Sequence, residues 1–345
     1  MKKSHSSKIL IAIGISLLLI LQFSMVVFAN QKPILSHVMN QDHIFHRVSE
    51  VFMGELSRLS GGEFEVDYHL GGDLGDWTLQ YDQCLQGIIP MTFVWNNAEI
   101  DPRQDISVLG FLADDWETAR LVYGPDGLLS GEYASMMDDI GLVLGGIIPT
   151  GFCGFVVRKG VNVPINVPDE AKGFKMRISA SVLGPARYKA LGFSPVTIPF
   201  SEVHTALQTG TIDGRAYGPA AEVVMFADVL EAFVHTKEHL DHAFFTINKK
   251  WFESLSEEEQ KWVREAAMHA QTWAWNNVEA DEEAQLKDIE EHGVKVVYLT
   301  KEQRDVFKKL TREAEWPIFE KVVGPEVMQR IKDTAAKVDA VGATK

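Results

Sequence analysis

The stretch Gly173–Gly214, GFKMRISASVLGPARYKALGFSPVTIPFSEVHTALQTGTIDG, decides how the rest of the chain is read. It opens on an alternation: Phe174, Met176 and Ile178 point one way, Lys175 and Arg177 the other. That period belongs to a strand with two unlike faces. A helical segment through Ala186, Tyr188 and Ala190 closes at Gly192, and a short apolar piece, Pro195–Ile198, follows. The next helix, Glu202–Thr209, stops at Gly210, the residue type suited to a left-handed helix terminus. A strand end bearing one arginine between helix starts is a good place to hold a carboxylate. The guanidinium fork matches a carboxylate bidentately and keeps its proton. A structural salt bridge from Arg177 to an aspartate is the competing reading, and periodicity alone does not separate the two.

Outward from that stretch, the 345 residues are long for one core and comfortable for two α/β lobes. The N-terminus reads MKKSHSSK, then an apolar run Ile9–Phe28 ending Val27-Phe28-Ala29. Basic head, apolar middle and small-residue exit make a secretory signal over residues 1–29, so the expected location is the periplasm. Twenty apolar residues also suffice for an uncleaved membrane anchor. Without the signal, 30 basic residues face 48 acidic ones. Such a surface argues against nucleic acid as a partner, because phosphate binding needs clustered Lys and Arg. It does not exclude an acidic ligand, because one arginine in a closed cleft outweighs screened surface charge. Cys84 and Cys153, far apart in apolar contexts, are expected as two buried free thiols.

Taken in order, the spacing predicts a first strand Ile34–Met39 and a helix Ile44–Leu59 whose stripe is Phe45, Val48, Phe52 and Leu56. A strand Phe64–Tyr68, a helix Trp77–Leu85 closed by Gly87 and a strand ending at Phe93 follow. The glycines of HLGGDLGDW fit neither the P-loop nor the dinucleotide fingerprint. A helix Trp116–Tyr123 leads on to a strand Gly145–Thr150. Gly151–Arg158 then begins a new sheet and is the candidate hinge crossing. His235, His239 and His242 would share one face of a helix and could hold a metal. The strand-like HAFFTIN beginning at His242 argues against that helix, so no metal and no cofactor are expected. Ser256 with Glu259 forms a capping box opening a helix of about 36 residues, Glu257–His292, some ~54 Å long. A strand Gly293–Leu299 and helices Thr300–Phe319 and Gly324–Val338 complete the chain.

The run KGFKMR, then LGFSPV, PFSEVHTALQTG and DG resembles the DctP-type solute-binding proteins of tripartite ATP-independent periplasmic (TRAP) transporters. The resemblance extends from about Ile34 to Ile331. It implies a two-lobed periplasmic-binding-protein fold, type II-like, with the long helix lying under both lobes. Lobe I would comprise 30–153 and about 243–282, lobe II 154–242 and about 283–345. In that family the arginine of the K-x-R element clamps the substrate carboxylate, which makes Arg177 the principal ligand residue. Strand ends face the cleft in such a fold, so Trp95, Asn96 and Asn97 are candidate contacts. Against them stands a core tryptophan beside an asparagine turn. Phe155 is expected at the cleft, and Arg158 is the natural second cation unless it is a solvated strand residue. After Asp213-Gly214 the family's glutamate is missing and its asparagine position holds Tyr217. Tyr217 can donate one hydrogen bond and pack on a ligand body, and Arg215 could add charge. A ligand bulkier or less polar than a plain dicarboxylate is therefore expected. The implied partners are a small carboxylate-bearing molecule and the TRAP-type membrane permease, with the receptor a monomer or a homodimer. A ligand sensor reporting to a membrane signalling protein would carry the same fold. An exported enzyme is disfavoured: no nucleophile elbow, HExxH pair, Cys/His arrangement or P-loop is present.

Overall fold

A computed structural model of the chain describes residues 32–113 and 115–342. The secretory signal expected over residues 1–29 lies outside the described residues. Ten strands and ten α-helices are described, with strands β1 Ile34–Ser36, β2 Asp67–His69, β3 Met91–Val94, β4 Leu142–Arg158 and β5 Lys175–Ile178. They continue with β6 Ser194–Thr197, β7 Gly214–Pro219, β8 Leu230–His235, β9 Leu240–Asn248 and β10 Lys295–Tyr298. The helices are α1 Ile44–Leu59, α2 Trp77–Gln86, α3 Trp116–Tyr123, α4 Ser130–Asp139 and α5 Gly184–Ala190. The rest are α6 Val203–Thr209, α7 Ala220–Val223, α8 Lys249–Ser254, α9 Glu257–Glu291 and α10 Lys301–Gly342.

Local chemistry sets the helix ends. His43 caps α1 by accepting from the Phe45 amide, and Phe45, Val48, Phe52 and Leu56 lie buried beneath it. Asp115 and Thr118 form a capping box on α3, as Ser256 and Glu259 do on α9. Each such cap is worth about 1 kcal/mol, because it satisfies amides that a helix start leaves without partners. Gly87 ends α2 with φ 77°. The single long C-terminal helix breaks at Gly324 (φ 80°, ψ 166°), so its two halves correspond to the two helices that spacing predicts.

The strands build one mixed sheet system from two parts. β2, β1 and β3 run parallel, β9 joins β3 antiparallel, and β4 joins β9 antiparallel. β4 pairs with β9 from Leu142 to Phe152. It then pairs with β7 from Cys153 onward and with β8 from Phe155 onward. β5, β6 and β10 complete the second part. The expectation of two separate strands around residue 150 is thus corrected to one strand shared by both sheets. Two glycines permit this. Gly151 sits at φ 140°, where a side chain would be strained, and a Cβ on Gly154 would lie 2.1 Å from the Val234 carbonyl oxygen. The first two strands are shorter or later than expected. Ladder pairing, and not apolar alternation, sets their ends: the Asp67 amide is the one that meets Pro33.

The lobes have separate cores. Leu35, Phe45, Phe52, Phe93, Phe245 and Trp275 belong to the first. Phe155, Phe174, Met176, Tyr188 and Phe193 fill one side of the second sheet, with Val156, Leu207, Phe226 and Phe233 on the other. α9 serves both lobes, with Val263, Ala270 and Val278 in the first core and Ile289 in the second. The histidine trio is not helical: His235 ends β8, and His239 and His242 flank and enter β9. Cys84 and Cys153 are buried free thiols. Among the described residues no helix is long and apolar enough to cross a membrane.

Candidate ligand-binding site

The parallel pairing of β5 and β7 puts Arg177 directly beside Arg215. Neighbouring strands lie about 4.8 Å apart, and register partners present their side chains on one face. Two guanidinium groups are therefore held together near the junction of the sheets. Their surroundings differ. Arg215 forms an ion pair with Glu222 and lies between the Phe200 and Phe226 rings, at 5.0 and 5.5 Å. Arg177 is 5 % exposed and donates through Nε to the Ile198 carbonyl at 2.9 Å. Among the described residues it has no carboxylate partner. Burial, and next the Arg215 charge, pull it down to about 10, so it stays protonated at neutral pH. A buried cation without a counter-anion is costly, and an incoming carboxylate offsets that cost.

Nε and Nη1 of Arg215 and the Tyr217 hydroxyl are buried without hydrogen-bond partners, and so are both ring nitrogens of His239, the neighbour of Tyr217. Buried polar groups are nearly always satisfied, so a cluster of exceptions marks a place where a guest completes the bonding. Tyr217 sits at φ 60°, a conformation rare for a bulky residue, and such strain concentrates at functional sites. Its ring stacks edge-on to Tyr188 at 5.6 Å and His239 at 5.3 Å, with the Arg187 guanidinium 5.2 Å from its centre.

Arg187 supports this floor. It is fully buried, pairs with Glu315 at 2.6 Å and Glu238 at 3.7 Å, and donates to the Val108 carbonyl. Tyr188 donates its hydroxyl to Glu238 at 2.8 Å. Arg187 is thus a neutralised structural cation. Nothing in GPARYKA distinguishes it from a surface arginine, because its main partner is 128 positions away.

The end of β3 supplies Trp95, Asn96 and Asn97, in three different settings. Trp95 is half-buried and donates Nε1–H to Asp241 at 3.2 Å. Asn96 donates to Asp105 at 3.0 Å. The other Asp105 oxygen accepts from the Ser181 hydroxyl and the Val182 amide, both at 2.8 Å. This carboxylate therefore ties the segment after β3 to the segment after β5. Burial pushes it above the usual carboxylate range. Asn97 makes a turn, accepting from the Glu99 amide at 3.0 Å. Asp241 also accepts from Thr150, and burial, followed by the Glu222 charge, pushes it up to about 7.

Two expected site residues lie elsewhere. Phe155 is fully buried in the second lobe's core, packed edge-on to Phe193 at 5.6 Å. Strand alternation places it on the face opposite Val156, the residue that pairs with Arg215. Arg158 pairs with Asp213 at 3.1 Å at the far end of β4, so it is a neutralised strand-end cation. Sequence reading missed Glu222, Asp105, Thr150 and Asp241 as parts of this arrangement. The one available signal was that Asp241 interrupts an apolar strand.

The chain belongs to the DctP family, bacterial extracellular solute-binding protein family 7, whose model matches residues 35–321. The family consists of solute receptors of TRAP transporters. The chain is 26% identical over 257 residues to the 2,3-diketo-L-gulonate-binding periplasmic protein of Escherichia coli, covering 73% of this chain and 76% of that one. It is 29% identical over 298 residues to the ectoine-binding periplasmic protein of Halomonas elongata, covering 82% and 84%. Among solved structures, the sugar acid binding protein of Advenella mimigardefordensis in complex with galactonate superposes with a TM-score of 0.79. That match has 24% identity and covers 89% of this chain and 98% of that one.

Proposed function

We propose that the chain is the extracytoplasmic receptor of a TRAP-type transporter, taking a small organic acid between its lobes with the carboxylate on Arg177. The observation that carries this reading is a buried, protonated guanidinium that has no ion-pair partner among the described residues, next to Arg215, which has one. The Tyr217 hydroxyl and the remaining Arg215 N–H groups are available to the same oxygens or to hydroxyls of the ligand body. Trp95 and Tyr217 offer flat apolar surface, which suits an acid larger than a plain dicarboxylate. The lobes, formed by 30–153 with about 243–282 and by 154–242 with about 283–345, close on the ligand. The closed form then meets the membrane permease, and no catalytic step is involved. The periplasm is the expected location, in keeping with the basic and apolar N-terminus and with relatives named as periplasmic.

The test is a thermal-shift screen of sugar acids, keto acids and cyclic zwitterions, each beside its neutral amide or alcohol. A ligand bound only by the folded chain raises the melting temperature with concentration, by about 2.7 kcal/mol of stability at 100 times Kd. Shifts by acids but not by their neutral counterparts support the reading. Shifts by neutral sugars alone contradict it.

A further inference from the structure

β4 and the start of β9 bring together a second constellation, adjoining the acid site and sharing His239 and Asp241 with its wall. One step beyond the last β4–β9 pair, Phe152 with Leu240, the Cys153 amide donates to the His239 carbonyl at 2.9 Å and so sets Cys153 opposite His239. Opposed residues project from the same face with Cβ atoms about 5 Å apart, and a residue two along projects there too. That residue is Asp241. The Cys153 sulfur, a His239 ring nitrogen and an Asp241 carboxylate oxygen all lie within 4.8 Å of one another. We propose that Cys153, His239 and Asp241 form a binding site for a borderline divalent metal ion of the zinc class.

Three observations support the site. His239 is 1 % exposed, yet neither ring nitrogen has a hydrogen-bond partner. Leaving a buried polar atom in that state costs about 1–3 kcal/mol, which a metal bond removes. Asp241 is already oriented by Trp95 and Thr150 through one oxygen, the kind of outer support that ligating carboxylates use. Around Cys153 the negative charges of Asp241, Glu238 and Glu222 outweigh the opposing charge of Arg215. The same field favours a cation, whose binding releases the thiol proton to solvent. Metal–ligand bonds of about 2.0–2.3 Å need the three donors nearer than 4.8 Å, a closure of about 1 Å that side-chain rotation supplies. One sulfur, one nitrogen and one carboxylate oxygen do not suit calcium or magnesium, which take several oxygens. Three protein ligands leave a fourth position for water or a ligand oxygen.

The experiment is a cobalt(II) titration of the chelator-treated full chain with no organic acid present, so that its outcome is independent of the acid reading. The expected result is one equivalent bound, with a thiolate-to-cobalt band in the near ultraviolet and visible bands of four-coordinate intensity, both displaced by zinc. The near-ultraviolet band is lost in Cys153→Ser and kept in Cys84→Ser, since Cys84 lies in the first lobe's core. His239→Gln weakens binding roughly tenfold or more. Far-ultraviolet circular dichroism checks that each variant is folded, and Cys84→Ser carries the comparison with wild type. Absence of a thiolate band in the wild-type chain, or a band that survives Cys153→Ser, overturns the proposal.

Discussion

At the scale of single residues, the second lobe holds three buried arginines that differ in what neutralises them. Arg187 has two carboxylates, Arg215 has one, and Arg177 has none among the described residues. That difference separates structure from function better than burial does. Replacing Arg187 with Met leaves Glu315 and Glu238 without their cation, and should cost about 3–5 kcal/mol in urea unfolding. Replacing Arg177 with Ala removes no ion pair, so apo stability should stay within about 1 kcal/mol of wild type. Equal losses in the two variants would mean that Arg177 is a packing residue. The alternation of residues 174–178 set Arg177 on the face opposite Met176 and Ile178, while the family resemblance, not the period, made it the expected ligand residue. Its freedom from a partner was not legible, because Glu222 lies 45 positions on and chooses Arg215 instead.

At the scale of elements, helices with caps and apolar stripes were legible to the residue. α1 and α3 have the bounds that spacing predicts, and α9 ends one residue short. Strand ends were less legible, because pairing is decided by distant partners and not by local alternation. β4 is the clearest case: its glycines read as a break, whereas they allow one strand to serve two sheets. Gly154→Ala should therefore cost at least about 2 kcal/mol in thermal or urea unfolding, since its Cβ would meet a backbone oxygen that cannot move aside. An unchanged midpoint would mean that the strands are looser than described. The start of α1 carries a pH dependence. Burial holds His43 down to about 3 and His37 down to about 4, against 6.5 when exposed. The His43 ring nitrogen that caps Phe45 must also be unprotonated to accept. As pH falls below 6.5, the unfolded chain takes up protons that the folded chain refuses, so stability is lost from pH 6.5 down to about 3. His43→Asn keeps a capping acceptor and removes the titration. The slope of stability against pH between 6.5 and 4 should flatten, by on the order of 3 kcal/mol across that window. An unaltered slope would mean that His43 takes up a proton in the folded state.

At the scale of the whole molecule, the fold joins two sheets through one shared strand and places one long helix under both. Asp105 connects the segment after β3 to that after β5, so it ties one lobe to the other. Asp105→Ala should favour separated lobes, seen as a larger radius of gyration in solution scattering and a weaker apparent affinity for any acid ligand. The two-lobed plan was legible because the central motif is specific. The identity of the cleft walls was not, since Glu222 and Asp241, both close to Arg215, and Asp105, close to Arg187, come from three segments that only the folded chain brings together. The most direct measurement is calorimetric titration of the acid giving the largest thermal shift into wild-type chain, Arg177→Lys and Arg177→Ala. If one buried guanidinium receives the carboxylate, Arg177→Ala loses binding by roughly a thousandfold, Arg177→Lys recovers part of it, and both stay folded. Wild-type affinity in a folded Arg177→Ala would contradict the account.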